Sequence, residues 1–318
     1  MSSPFTEQEL KKVEAGDLKT IVQLDQRGFI PGASETLQEF TDRLRNFEKN
    51  LIEMAEELKT KKKLTIEKLE FPEEEKIPQT AFNPAGKITE ELYDFRINWV
   101  PGFFVNPDFG WFFGGCAYSF APDFFSLFII RSSFKKKKKW LIYERDELMS
   151  HELCHVARFA MGSHKYEEQF AYQTSTSKFR KNFGCMMRSA WETYIVMGLL
   201  FAMLTTQISL ITMKGAWMAE RTIFNNPVNW FYAVIFSFIS YLVLRQKRQN
   251  KDFAHSLELL KSLTAKPRAL AFRMTDSELD HLATFKSLST ENFEEIINKS
   301  QPPAYRMDFL KKRFFKEV

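Results

Sequence analysis

Residues 144–161 read ERDELMSHELCHVARFAM, and the rest of the chain is best read outward from them. Leu148, Val156 and Phe159 give the stretch a partly apolar face at helical spacing, and Gly162-Ser163 stops it. Inside it stands His151-Glu152-Leu153-Cys154-His155. On a helix, residues i and i+4 share a face, so both imidazoles can bind one tetrahedral metal. Glu152, next to the first histidine, reaches a water on that metal rather than the metal itself. Such a carboxylate can take a proton from water that zinc has acidified. The chain has only five histidines, so chance would produce this spacing in under about one such chain in a hundred.

The residues before the motif are β-prone. Residues 125–134 (FSLFIIRSSF) and 140–143 (WLIY) are joined by five lysines. They are expected to form a hairpin with a solvated basic tip, or an edge strand guarded by lysines. Residues 95–124 are aromatic and interrupted by Gly and Pro, which predicts short strands and turns. Residues 71–90 are expected to be loop, with Pro72, Pro78, Pro84 and Gly86 breaking any long element. Residues 34–61 predict an amphipathic helix capped by Ser34. Its apolar positions are Leu37, Phe40, Leu44, Phe47, Leu51, Ile52, Met54 and Leu58, and lysines 61–63 stand at its C-terminal end. A second helix is predicted over 165–179.

That second helix opens with HKYEEQFAY, offering His164, Glu167 and Glu168 as a third ligand. Here the chain resembles the gluzincin metallopeptidases, in which a Glu on a following helix completes the HExxH site. Glu168-Gln169-Phe170-Ala171-Tyr172 matches their pattern, with Tyr172 where Asp is common and with a short spacing from His155. The residues after His155 lack the glycine and histidine spacing of metzincins. The resemblance implies an α+β, predominantly helical, zincin-like catalytic domain with a small edge sheet. It implies Zn2+ on His151, His155 and Glu168, with Glu167 and His164 as alternatives to Glu168. It implies Glu152 as general base in peptide-bond hydrolysis, and a cleft-edge strand, for which 125–134 is the candidate, pairing with a peptide or protein substrate.

Asp146 and Glu147 lie one turn before His151. They are candidates to orient its ring, or they are charges at the helix start. Tyr166, Tyr172, His281 and Tyr305 are candidate donors to a developing oxyanion. Cys154 is expected in the core, and Arg158 beside a nearby acid.

Residues 193–213 and 228–244 carry no charge and read as a transmembrane helical hairpin, with membrane lipid as a partner. Trp191, Trp217, Trp230 and Tyr241 would lie at the interfaces. Lys178, Arg180, Lys181 and Arg188 precede the first span; Arg245, Lys247, Arg248 and Lys251 follow the second. The connection holds only Lys214 and Arg221. The positive-inside rule then puts the catalytic and C-terminal regions in the cytoplasm. Three cysteines, Cys116, Cys154 and Cys185, make no disulfide framework and agree with a reducing compartment. The first twenty residues lack the apolar region of a signal peptide.

The net charge is +5 and the pI about 8.9. The basic excess lies in short blocks at 61–63, 135–139 and 245–251, not in an aromatic-studded stripe, so no nucleic-acid partner is expected. An excess of phenylalanine, 33 residues, suits lipid-facing surface or an aromatic core equally. Residues 277–285 and 289–297 predict short amphipathic helices, with Thr275-x-x-Glu278 as a capping box. The organisation expected is thus a helical 1–70, a zincin-like 71–190, a membrane hairpin 191–245 and a helical cytoplasmic 246–318. The rival is a non-catalytic membrane protein with a structural or degenerate zinc site, His164 being its fourth ligand. A membrane scaffold without metal is the third reading.

Overall fold

A computed structural model describes residues 3–66, 69–105, 113–120, 125–213 and 227–315. The described chain is predominantly helical with small sheets. It divides into two compact units, residues 1–176 with 253–318, and residues 177–252.

The first unit opens with α1 (Glu7–Glu14), α2 (Leu18–Gln26) and α3 (Leu37–Lys61). Thr36, not Ser34, caps α3, in a capping box with Glu39. Phe40, Leu44, Phe47, Leu51, Met54 and Leu58 are buried along it, while Ile52 is exposed. A two-stranded hairpin follows, β1 (Lys63–Ile66) and β2 (Leu69–Pro72). The expected loop at 71–90 is instead partly α4 (Asn83–Tyr93). Pro84 sits in its first turn, where a missing N–H costs nothing. Gly86 is buried, and a Cβ there would stand 3.1 Å from Arg96 Cγ.

The central sheet holds β3 (Gly102–Val105), β4 (Gly115–Phe120) and β5 (Phe125–Arg131), in the order β3-β5-β4. β5 runs parallel to β3 and antiparallel to β4. The expectations for 125–134 are therefore corrected twice: this strand is central rather than an edge, and it does not pair with WLIY. Leu127, Phe128, Ile129 and Ile130 are all buried. A strand apolar on both faces needs neighbours on both sides. The WLIY residues form their own small hairpin, β6 (Lys139–Trp140) with β7 (Tyr143–Glu144), closed by Leu141 and Ile142.

α5 (Arg145–Arg158) carries the HELCH motif and packs on α4 and β4. A short 3-10 turn, Phe159–Met161, ends at Gly162 in the left-handed region, φ 59°, a conformation that favours glycine. The helix expected over 165–179 is two short ones, α6 (Glu167–Tyr172) and α7 (Lys178–Phe183). The break has a partner: buried Glu147 accepts hydrogen bonds from Ser175 Oγ at 3.0 Å and Thr176 N at 2.8 Å.

After α8 (Ala190–Met213) and α9 (Pro227–Leu260) come α10 (Pro267–Ala271), α11 (Asp276–Leu282), α12 (Thr290–Asn298) and α13 (Ala304–Phe314). The predicted capping box of Thr275 with Glu278 forms, and Ser289 with Asn292 makes another. The segment after residue 252 is no separate region, as its buried charges are neutralised across the first unit. Arg273 reaches Asp25 at 2.9 Å and Arg313 reaches it at 3.0 Å. The core is rich in phenylalanine: Phe29 stacks on Trp99, centroids 4.3 Å apart, and Phe272 stacks on Tyr93 at 4.3 Å.

In the second unit, α8 and α9 contain helices long and apolar enough to cross a membrane, over Ala190–Thr212 and Val228–Leu260. The most apolar stretch of the first has no buried residue. Trp191, Phe201, Leu204, Ile211, Trp230 and Phe236 are all exposed, which a buried core helix would not show. Glu192 and Arg245 pair at 2.9 Å near the charged ends of the two helices. Trp217, Lys214 and Arg221 lie outside the described residues.

Candidate metal centre

α5 presents His151 and His155 one turn apart, with their Nε2 atoms 3.2 Å from each other. α6 brings Glu168 against both. One of its carboxylate oxygens lies 3.5 Å from His151 Nε2, the other 3.5 Å from His155 Nε2. A tetrahedral zinc with Zn–N bonds of about 2.05 Å has ligand–ligand edges of about 3.3–3.4 Å. The two Nε2 atoms are near that spacing, Glu168 meets each of them through a different oxygen, and one ligand atom from each side chain lies within 4.8 Å of the others. Among the described residues they form the group that can hold a metal ion.

Glu167, adjacent to Glu168, faces another way, since successive residues on a helix do not share a face. Its carboxylate meets His155 Nδ1 at 3.1 Å and accepts from Arg158 Nε at 3.0 Å. This is the bond that holds a metal-ligating imidazole in one tautomer and orientation. Arg158 is itself buried, donates to the carbonyls of Phe272 and Met274, and lies over the Phe170 ring at 4.5 Å. The acid expected beside Arg158 is therefore Glu167, and the order His155–Glu167–Arg158 runs from the centre into the core.

Glu152 is buried on the same helix and accepts a hydrogen bond from Ala117 N at 2.8 Å. Ala117 belongs to β4, which pairs with β5 alone among the described residues. Its N–H thus points outward from the sheet edge, towards the helix. Burial pushes the Glu152 carboxyl above its usual range, against the opposing effects of His155 and the Ala117 N–H. Burial likewise raises Glu168, against the attraction of His155. Burial alone would lower His155, but Glu167, Glu152 and Glu168 together raise it to about 9. The carboxylates thus favour positive charge beside the two imidazoles, which a bound dication can supply.

No family model, curated protein or solved structure matches the chain.

The remaining candidates separate by position. The Tyr172 ring packs edge-on against His151, centroids 4.7 Å apart. Tyr166 is buried and donates to Asp280 at 2.8 Å, and Tyr305 donates to the carbonyl of Glu35 at 2.9 Å. His281 packs on Phe285. His164 is exposed and stands outside the metal-holding group. Asp146 pairs with Arg145 at 3.0 Å, while Glu147 ties down the turn after α6. Cys154 is buried in the core, as expected.

Sequence reasoning missed Asp276. Its carboxylate accepts from Ser163 Oγ at 2.6 Å, from His164 N and Lys165 N at 2.7 Å each, and from Tyr166 N at 3.1 Å. It therefore holds the loop that leads into α6 and its two glutamates. Over 110 residues separate donor and acceptor, so no local pattern marks it; locally it looks like one acid in a helix's first turn.

Proposed function

We propose that the chain is a membrane-anchored zinc metallopeptidase. His151, His155 and Glu168 would hold the zinc, and Glu152 would act as general base. The observation that carries this is the convergence of both Nε2 atoms and the Glu168 carboxylate within 4.8 Å of one another, with Glu152 buried next to them on α5. A bound zinc would supply Lewis acidity at the scissile carbonyl and bring a coordinated water to a pKa of about 7.

The chain's own residues would do the rest. Glu152 takes a proton from water and returns it to the leaving amine, so that water adds across the C–N bond. Glu167, braced by Arg158, keeps His155 in the ligating tautomer. β4 is an edge strand whose outward backbone groups lie along α5, and it replaces 125–134 as the strand for an extended peptide or protein substrate to pair with. Tyr172, against His151, is the candidate donor to the oxyanion.

A structural zinc site closes with four protein ligands. Among the described residues the group has three members and leaves a position open, which supports the catalytic reading over the structural one. The exposed apolar faces of α8 and α9 support an anchor in the bilayer. The basic residues flanking them support a cytoplasmic site.

The test is zinc content by plasma mass spectrometry on detergent-purified protein, followed by peptide-library cleavage. Wild type and Glu152→Gln are expected to hold about one zinc per chain, and His155→Ala none. Cleavage is expected from wild type alone. Wild type without zinc after reconstitution, or cleavage that survives in Glu152→Gln, overturns the proposal.

A further inference from the structure

Five consecutive lysines, 135–139, precede the small β6–β7 hairpin, and the proposed chemistry leaves them unused. All five are exposed. Lys135 pairs with Glu75, and Lys139 lies 3.7 Å from Glu144. Among the described residues, Lys136, Lys137 and Lys138 have no acid within ion-pair distance.

At the tip of the hairpin stand Leu141 and Ile142, with 62% and 72% of their surface exposed. Leu141 also has φ 48°, in the left-handed region. A two-residue hairpin turn with positive φ at its first position ordinarily takes glycine there. A leucine pays strain in that conformation and also forgoes burial. Such outliers cluster at binding and switch regions.

The hairpin is also rooted in the fold. The Arg131 guanidinium, from the central strand, lies 3.9 Å from the centre of the Trp140 ring. Arg145 N donates to the carbonyl of Lys138 at 2.8 Å. The aliphatic tip and its lysines are thus presented in a set arrangement.

We propose that this hairpin docks on an anionic bilayer surface, with Leu141 and Ile142 entering the interface and Lys136, Lys137 and Lys138 on the headgroup phosphates. Two exposed aliphatic side chains are a small part of the roughly 800 Å² that a standard protein interface buries on each partner. Together with adjacent lysines they suit reversible attachment to an anionic leaflet. The same chain carries helices suited to a membrane. Tyr143 of the hairpin also touches the approach to β4, where a Cβ on Gly114 would meet its ring at 3.2 Å. Docking would therefore set one end of the β4 edge at the membrane surface. None of this depends on zinc.

The full chain, with an environment-sensitive dye on Ile142→Cys, is placed in nanodiscs of phosphatidylcholine alone or of phosphatidylcholine with phosphatidylserine. Both contain doxyl-labelled lipid as quencher, and wild type carried through labelling gives the background. Quenching is expected in the anionic discs, falling to the neutral-disc level in 1 M salt, where screening reaches about 3 Å. It is also expected to fall to that level when Lys136, Lys137 and Lys138 become Gln. At each lysine's contribution near an anionic surface, the triple change weakens docking on the order of a hundredfold. Leu141→Gly suits the turn and keeps the fold, so reduced quenching there with an unchanged melting temperature reads the lost apolar contact. No quenching in anionic discs, equal quenching in neutral discs, or indifference to the lysine changes overturns the proposal; the first of these leaves an acidic protein as the occupant. A dye on Phe201→Cys reports separately on the spanning helix. If that dye is unquenched, the chain is offered to vesicles of the same two compositions. Flotation with anionic vesicles alone then supports docking, and no flotation overturns it.

Discussion

Replacing Asp276 by Asn tests how the C-terminal segment builds the metal centre. The native carboxylate accepts four hydrogen bonds, two on each oxygen, from Ser163 Oγ and from the backbone N–H groups of residues 164–166. An amide keeps one oxygen and turns two donors against the other donors. At least two bonds to a charged acceptor are lost, each worth about 1.5–3 kcal/mol when sheltered. The site is half-exposed, so about 2–3 kcal/mol in total is the reasonable figure. For a unit of this size that lowers the melting temperature by about 4–12 °C.

α6 should then fray at its start and displace Glu167 and Glu168. Zinc affinity, measured by chelator competition, is expected to fall about 10–100-fold. The pH dependence has a definite sign. Burial raises the Asp276 carboxyl, but its hydrogen bonds from Ser163 and the loop N–H groups outweigh burial and hold it below the usual range. Its contribution is therefore present above the unfolded value of about 3.9 and is lost as pH falls through the folded one. The stability gap between wild type and Asp276→Asn should be full at neutral pH and close in acid. Equal melting temperatures at pH 7, or a gap that persists unchanged below pH 3, would refute the reasoning. A lowered melting temperature with unchanged zinc affinity would separate the loop from the centre.

Three further substitutions probe other contacts. Glu167→Gln leaves Glu168 in place but weakens the bond to His155 Nδ1, and zinc affinity should drop about 10–100-fold with little change in fold by circular dichroism. Asp25→Ala leaves the buried guanidinium of Arg273 without its carboxylate and removes a partner of Arg313; denaturant titration should show a loss of about 3–5 kcal/mol. Ala117→Pro spares the ladder to β5 but removes the N–H that Glu152 accepts. The variant should keep its zinc, lose about 1–3 kcal/mol of stability in denaturant titration and cleave peptide more slowly; unchanged stability and cleavage would exclude a part for this bond in holding Glu152.

Several features were legible because they are local. A histidine pair at i and i+4 needs only a helix to share a face, and that helix is announced by its spacing and its glycine stop. The capping box at Thr275 closes over three residues. The uncharged stretches within α8 and α9 are visible as composition. Elsewhere local rules misled. Pro84 looked like a breaker but starts a helix, because proline is penalised inside one and not in its first turn. Residues 125–134 looked like an edge beside lysines, but their apolar faces on both sides demanded neighbours that the sequence does not name.

By itself, then, the sequence determined the helix, the paired imidazoles with Glu152 between them, and two segments able to cross a bilayer. Each depends on residues within a few turns of one another. Only the tertiary structure decided that Glu168 faces both histidines while Glu167 and Arg158 brace His155 from behind. It alone put Ala117 of an edge strand on Glu152, and Asp276, beyond the apolar helices in the chain, on the loop before α6. Those contacts join residues from 9 to 113 positions apart in the chain. They arise when separate apolar faces find a common core and carry their polar side chains with them, and no periodicity in one segment encodes its partner in another.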